Sequence, residues 1–310
     1  MSIQEIPNGV YPTMVTPFTD DNRVNYAEAE KLVEWYARKG CNGIFAVCQS
    51  SELYHLSLTE RVELAKRVGK AAAKQSPQLT MVASGHTEDS LDAQAYELTA
   101  MQETGAAAIV WISNRLDLHN EGDDVWLRNA EQLLAKLPST LTLGIYECPK
   151  PYKRLLTPRI LDWCISTGRF RFIKDTCCDP ALLAQRLKQL EGTGIKLFNA
   201  NAQTLLYSLR LGCAGYSGVM ANFHPELYTW LCHHFLQSPA EADHLDEIIS
   251  MCAFTEFMAY PVTAKYHLQQ EGIFSSLQTR TRSASEINDY QKLVIQQMKR
   301  LTDRTFALLS

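Results

Sequence analysis

Two hydrophobic periods alternate along the first three quarters of the chain. Short apolar runs of strand length are each followed by a longer stretch whose apolar residues recur every three or four positions. The first run, Val10 to Phe18, ends in a proline-bounded turn. It precedes a predicted helix over 25–39, whose Leu32, Val33, Tyr36 and Ala37 share one face and whose stop is Gly40. The same pairing recurs for strand 43–48 with helix 59–74, 79–84 with 90–103, 106–112 with 124–137 and 141–146 with 158–167. It continues with Phe170 to Ile173 and a helix opened by Asp179 and Pro180, then 195–199 with 203–211, and 213–218 with 225–236. Serial strand–helix units require a parallel sheet with right-handed crossovers, and eight of them close a (β/α)8 barrel. After about residue 237 the strand pattern disappears, and 240–257, 262–271 and 283–309 read as helices. The predicted organisation is therefore an α/β chain: a (β/α)8 TIM barrel over 1–237 carrying the active site, and a C-terminal three-helix extension over 238–310.

A barrel places its chemistry where strands end and loops begin. Those positions are Thr16, Gln49-Ser50-Ser51-Glu52, Gly85-His86, Ser113-Asn114-Arg115, Tyr146-Glu147, Lys174, Asn199 with Asn201, and Ser217-Gly218. Lys174 stands out because it directly follows a strand built of Phe170, Phe172 and Ile173. An ammonium ion taken out of water is costly unless it is paired or neutralised. Lys174 is either a strand-end lysine that snorkels to solvent, or an amine of lowered pKa able to attack a carbonyl and form a Schiff base. Tyr146, ending the adjacent predicted strand, is either its chemical partner or a rim aromatic. A polar rim residue is ordinarily structural, and this is the default for His86, Asn199, Asn201 and Glu52; His55 and His224 carry no functional reading.

Composition narrows the classes. Hydrophobic residues make up 46% and charged residues 21%, as in ordinary globular proteins, and the net charge of −4 argues against nucleic acid or an anionic membrane as partner. No stretch approaches the ~18 apolar residues that span a bilayer, and Met1 to Glu5 lacks the regions of a signal peptide. The nine cysteines are scattered, without C-x-x-C spacing, which disfavours a zinc site and predicts free thiols in a reducing, cytoplasmic compartment. Vicinal Cys177-Cys178 leaves a redox reading open. No Gly-x-Gly-x-x-Gly follows the first strand, which argues against a dinucleotide fold.

Taken in order, several segments resemble the dihydrodipicolinate synthase / N-acetylneuraminate lyase family of pyruvate-dependent class I aldolases. They are Pro12-Thr13-Met14-Val15-Thr16-Pro17-Phe18, Gly43 to Glu52, Tyr146-Glu147-Cys148-Pro149, Ile173-Lys174-Asp175-Thr176, and Leu211 to Gly215 followed by Asn222-x-x-Pro225. The resemblance implies that Lys174 forms the Schiff base with a 2-oxo acid and that Tyr146 shuttles protons. It implies that Ser50, with the amides of Ser50 and Ser51, holds the substrate carboxylate, as consecutive backbone N–H groups can. Glu147, Ser217 and Asn199 are the further substrate-binding candidates.

The departures are equally specific. Gln49, the third catalytic candidate, stands where the family relays protons to the tyrosine; an amide can hold a hydrogen bond but is a poor relay. Pro151 replaces the arginine that binds a second carboxylate in the synthases, with Lys153 or Arg154 as the nearest substitutes. Ala202 and Gln203 replace the acidic pair of the sialic acid lyases. Cys48 and Ser51 replace signature glycines, Glu147 an asparagine, and 111–117 holds no tyrosine to reach a neighbouring subunit. The implied protein is a Schiff-base-forming lyase joining or cleaving a C–C bond between pyruvate, or another 2-oxo acid, and an aldehyde. The implied assembly is a homotetramer, a dimer of dimers. Because the imine is the electron sink, no metal and no cofactor are expected. A 2-oxo sugar acid dehydratase and a non-catalytic 2-oxo acid binder are the rival readings.

Overall fold

The computed structural model describes residues 5–75 and 79–309. Eight strands form one parallel sheet in the order β1-β8-β7-β6-β5-β4-β3-β2. They are β1 (Gly9–Val10), β2 (Gly43–Ala46), β3 (Thr80–Ser84), β4 (Ala108–Ile112), β5 (Leu143–Tyr146), β6 (Phe170–Asp175), β7 (Lys196–Asn199) and β8 (Gly215–Tyr216). Eight helices alternate with them: α1 (Tyr26–Arg38), α2 (Leu58–Gln75), α3 (Leu91–Gln102), α4 (Asp123–Lys136), α5 (Pro158–Thr167), α6 (Pro180–Leu190), α7 (Leu205–Arg210) and α8 (Pro225–His234). This is the (β/α)8 barrel that the alternating pattern predicts.

The first strand is much shorter than the expected 10–18 run, because Pro12 and Pro17 lack the N–H that a ladder needs. The seam closes nonetheless. Tyr11 N donates to Tyr216 O (2.8 Å) on one side; on the other, Phe45 N donates to Pro12 O (2.9 Å) and Met14 N to Phe45 O (3.1 Å). A proline can still accept. At the tightest point of the β1–β8 seam, a side chain on Gly215 would meet Gly9 O at 1.8 Å, so the position needs glycine.

Alternation along β6 turns Phe172 and Lys174 to one face and Ile173 to the other. Phe172 stacks on Phe198 of β7 (ring centroids 4.8 Å) and meets Phe45 of β2 (5.8 Å) and Tyr11 (5.7 Å). Rings from strands on opposite sides of the sheet meet only through the barrel interior. Lys174 therefore sits one layer above a buried aromatic floor.

The remaining helices are α9 (Pro239–Cys252), α10 (Val262–Gln270) and α11 (Asp289–Leu309). The predicted 240–257 helix ends at Cys252 and tightens into a 3-10 turn over Ala253–Phe257. This extension is tied to the loop after β2 through a buried ion pair. Lys265 Nζ lies 2.9 Å from Glu52 Oε1, and Glu52 also accepts from the amides of Arg280 (2.6 Å) and Thr281 (2.8 Å).

Candidate active site

Lys174 and Tyr146 are register partners on adjacent strands. Lys174 is 3% exposed, and its Nζ lies 4.4 Å from the Tyr146 ring centroid and 5.6 Å from that of Phe45. Among the described residues it makes no hydrogen bond and no ion pair. Burial lowers its pKa to about 8, against weaker opposing fields from Cys48, Cys148 and Glu256. The amine is thus partly neutral at a pH near 8, as a nucleophile must be. Burial drives the Tyr146 phenol well above its ordinary value, so it keeps its proton.

Cys148, two residues beyond Tyr146, donates its amide to Tyr146 O (2.9 Å), and its thiol lies near the hydroxyls of Tyr146 and Tyr54. Cys148 Sγ donates to Gln49 Oε1 at 3.0 Å. Its own pKa is pushed up to about 11, mainly by burial. Gln49, Tyr54 and Lys150 line a cavity of about 590 Å³ together with Ser50 and Tyr260.

The loop after β2 opens with a 3-10 turn over Gln49–Ser51. Ser50 Oγ donates to Thr13 Oγ1 (3.2 Å), and the Tyr260 hydroxyl lies near both of these groups while accepting from Asn222 Nδ2 (3.3 Å). Ser51 differs from the expectation. Its amide is spent on Cys48 O (3.0 Å), and its hydroxyl donates to Met14 O (2.6 Å) while accepting from Cys48 N (3.1 Å). Of the expected carboxylate grip, the Ser50 amide is uncommitted among the described residues, and the Ser50 hydroxyl is held only by Thr13.

The other expected ligands are occupied by the fold. Glu147 steps to the opposite face of β5 from Tyr146. It accepts from Leu156 N (2.7 Å) and Thr176 N (2.9 Å) and pairs with Arg186 (2.7 Å), which also grips Asp175. It braces the ends of β5 and β6, and we propose a structural role for it in place of the expected substrate binding. Asn199 Nδ2 donates to Thr204 and Ser208 hydroxyls (both 3.0 Å), and its Oδ1 accepts from Asn201 N (2.8 Å), fixing the turn into α7. Ser217 Oγ donates to Tyr11 O (2.9 Å) and helps to hold the β1–β8 seam. His86 accepts at Nε2 from Ile112 N (2.6 Å), which leaves the proton on Nδ1 for Gln94 Oε1 (2.9 Å); burial lowers its pKa to about 4. It is a neutral strut.

Three groups near the mouth were not singled out from the sequence. Tyr54 lies only five residues beyond Gln49 and could have been weighed as a loop aromatic. Tyr260 and Glu256 come from the extension, and no local pattern marks them. Glu256 is half-buried, lies close enough to Lys174 and Lys153 for both to oppose the upward push of burial on its carboxyl, and makes no hydrogen bond or ion pair among the described residues. Lys153 is exposed and donates to Thr176 O (2.8 Å), whereas Arg154 is buried against Asp123 (2.6 Å) and Asp117 (3.2 Å). Of the two substitutes for the missing arginine, only Lys153 is open to a ligand. Among the described residues, no group of three or more His, Cys, Asp or Glu side chains is arranged to hold a metal ion, and no helix is long and apolar enough to cross a membrane.

Residues 6–301 match the model of the dihydrodipicolinate synthetase family. A 4-hydroxy-tetrahydrodipicolinate synthase of Shewanella frigidimarina is 24% identical over 295 residues, covering 94% of this chain and 97% of that protein. Its counterpart from Clostridium perfringens is 26% identical over 233 residues, covering 75% and 77%. Among solved structures, a sialic acid aldolase of Ruminococcus gnavus superposes with a TM-score of 0.85 at 16% identity, covering 98% of each chain. A family prophage protein from E. coli K12, in complex with pyruvate, superposes with a TM-score of 0.82 at 19% identity, covering 96% of this chain and 98% of that one. At these identities the superpositions establish the fold alone.

Proposed function

Because the chain belongs to the dihydrodipicolinate synthetase family, we propose that it is a cytoplasmic class I lyase acting on pyruvate or another 2-oxo acid through an imine on Lys174. The observation that carries this reading is the state of that lysine: buried, without a counter-ion, above an aromatic floor and in register with a protonated tyrosine. Neutral Nζ attacks the keto carbon, and Tyr146 gives its proton to the carbinolamine hydroxyl, which leaves as water. Loss of a proton from the carbon next to the imine yields an enamine that adds to an aldehyde; the reverse order cleaves the bond. The Ser50 amide and hydroxyl, with Thr13 and Tyr260, supply the donors for the 2-oxo acid carboxylate.

Neither typical substrate set of the family fits these residues. Pro151 offers no charge to a second carboxylate, and Ala202 with Gln203 offers none to sugar hydroxyls. Lys153 and Glu256, of opposite sign, instead flank the mouth and suit an aldehyde that carries both an anionic and a hydroxyl group. The rival binder reading rests on Gln49, whose amide cannot pass a proton on. Borohydride reduction in the presence of pyruvate, followed by peptide mass spectrometry, separates the readings. A reduced pyruvyl adduct on Lys174 together with turnover of an aldehyde supports the lyase; an adduct without turnover supports the binder. An adduct on another lysine overturns the assignment. The homotetramer is likewise a proposal, and sedimentation of the full chain tests it; one solved family relative is a monomeric variant.

A further inference from the structure

Tyr146 raises a bookkeeping question for protons. Having protonated the departing hydroxyl, it is left as a buried phenolate, and burial makes that anion costly. Gln49, the residue nearest to the usual relay position, can orient a proton but cannot carry one, since its amide oxygen accepts without passing a proton on. A thiol differs. It both donates and accepts, and the Cys148 thiol lies near the Tyr146 and Tyr54 hydroxyls, with its hydrogen held by Gln49 Oε1 at 3.0 Å and its amide on Tyr146 O at 2.9 Å. Tyr54 is half-buried, donates to Lys150 O (3.2 Å) and lines the 590 Å³ cavity.

Resting on the imine reading above, we propose that Cys148 and Tyr54 form the proton path of this site, Tyr146 to Cys148 to Tyr54 to the cavity, contained within one chain. The step balances. As Tyr146 loses its proton to the leaving water, Cys148 Sγ–H restores it, Tyr54 O–H restores the thiol, and solvent in the cavity restores Tyr54. Removal of the substrate's carbon-bound proton runs the chain in reverse. Cys148 and Tyr54 touch neither reactant; they are positioning and relay residues, and Gln49 sets the direction in which the thiol points.

The path is tested on the full chain with pyruvate alone. Borohydride trapping at equilibrium reports the imine, and deuterium wash-in at the pyruvate methyl group, followed by proton NMR in D2O, reports proton flow. Cys148→Ala and Tyr54→Phe should still trap pyruvate on Lys174 while exchange slows by about tenfold or more. Cys148→Ser, which keeps a donor–acceptor group, should recover most of the rate, and added imidazole should accelerate the two slow variants but not the wild type. Exchange at the wild-type rate in Cys148→Ala overturns the relay, as does a Cys148→Ser variant as slow as the alanine one, which would mark a packing role. Failure of the wild type to trap pyruvate overturns the imine reading itself, and the relay with it.

Discussion

Two lysines in this chain share nearly every property except one. Lys174 at the barrel mouth and Lys265 in α10 are 3% and 0% exposed, each lies about one ring's height from an aromatic face (4.4 Å from Tyr146, 4.5 Å from Phe18), and burial lowers each pKa to about 8. Lys265, however, has Glu52 at 2.9 Å and the Gln278 carbonyl at 2.6 Å, whereas Lys174 has no ion-pair partner among the described residues. A lowered pKa alone does not mark a nucleophile. What separates the two is whether the amine's donors are already spent.

The largest expected effect follows directly. Lys174→Ala should abolish the borohydride-trapped adduct and reduce any turnover by at least ~10³-fold, because the covalent step has no substitute. Lys265→Ala should leave a trappable site in whatever protein folds. It strands Glu52 in the interior, so urea unfolding should show a loss of about 3–5 kcal/mol. Restoring stability by Lys265→Met with Glu52→Gln, which keeps an acceptor for the Arg280 and Thr281 amides, would confirm that the penalty comes from the stranded charge. An adduct that disappears with Lys265 instead would reverse the comparison.

The same contrast predicts a gain. Lys174 is charged below about pH 8 at a desolvation cost that the unfolded chain does not bear. Between pH 8 and its ordinary pKa the native state sheds a proton that the unfolded state keeps, so stability rises with pH by ~1.4 kcal/mol per unit; above that window both states are neutral and the cost is gone. Lys174→Met should therefore be more stable than the wild type by on the order of 3 kcal/mol at neutral pH, with the gain fading toward pH 10.5. Denaturant titrations of both proteins across this range would show it. A constant difference would mean that packing, not desolvation, sets it.

One position along each strand, the logic inverts. Glu147 and Asp175 directly follow Tyr146 and Lys174, yet both meet Arg186. Glu147→Gln should cost about 1–3 kcal/mol in stability and leave pyruvate trapping intact, since it weakens a brace and touches no substrate. Loss of trapping with unchanged stability would return Glu147 to the substrate.

This one-residue step also explains what could and could not be read from the sequence. The barrel was legible because eight apolar runs alternate with amphipathic stretches. Lys174 and Tyr146 were legible because a strand end and its alternation fix a side chain's face. Strand-end position alone does not say which polar residues the loops consume: Glu147 lies on the other face, the Ser51 amide closes its own turn, and Asn199 and Ser217 hold neighbouring backbone. Nor could spacing reveal Tyr260 and Glu256. They reach the mouth only because the Glu52–Lys265 pair and its neighbours seat the extension there, a contact between residues 213 positions apart.

Glu256 provides the smallest and most discriminating test. Its negative charge raises the pKa of Lys174 slightly, against the dominant effect of burial. Removing the charge in Glu256→Gln should lower that pKa, so the acid limb of imine formation should move to lower pH by less than about one unit. The equivalent change at the other lysine, Glu52→Gln, should leave the limb in place while stability falls. Imine formation rates with pyruvate between pH 6 and 9 would separate the two. If Glu256→Gln leaves the limb unmoved but weakens turnover of the aldehyde, the carboxylate acts on the second substrate alone; if it moves neither, Glu256 lies outside the working site, and the extension contributes only the walls.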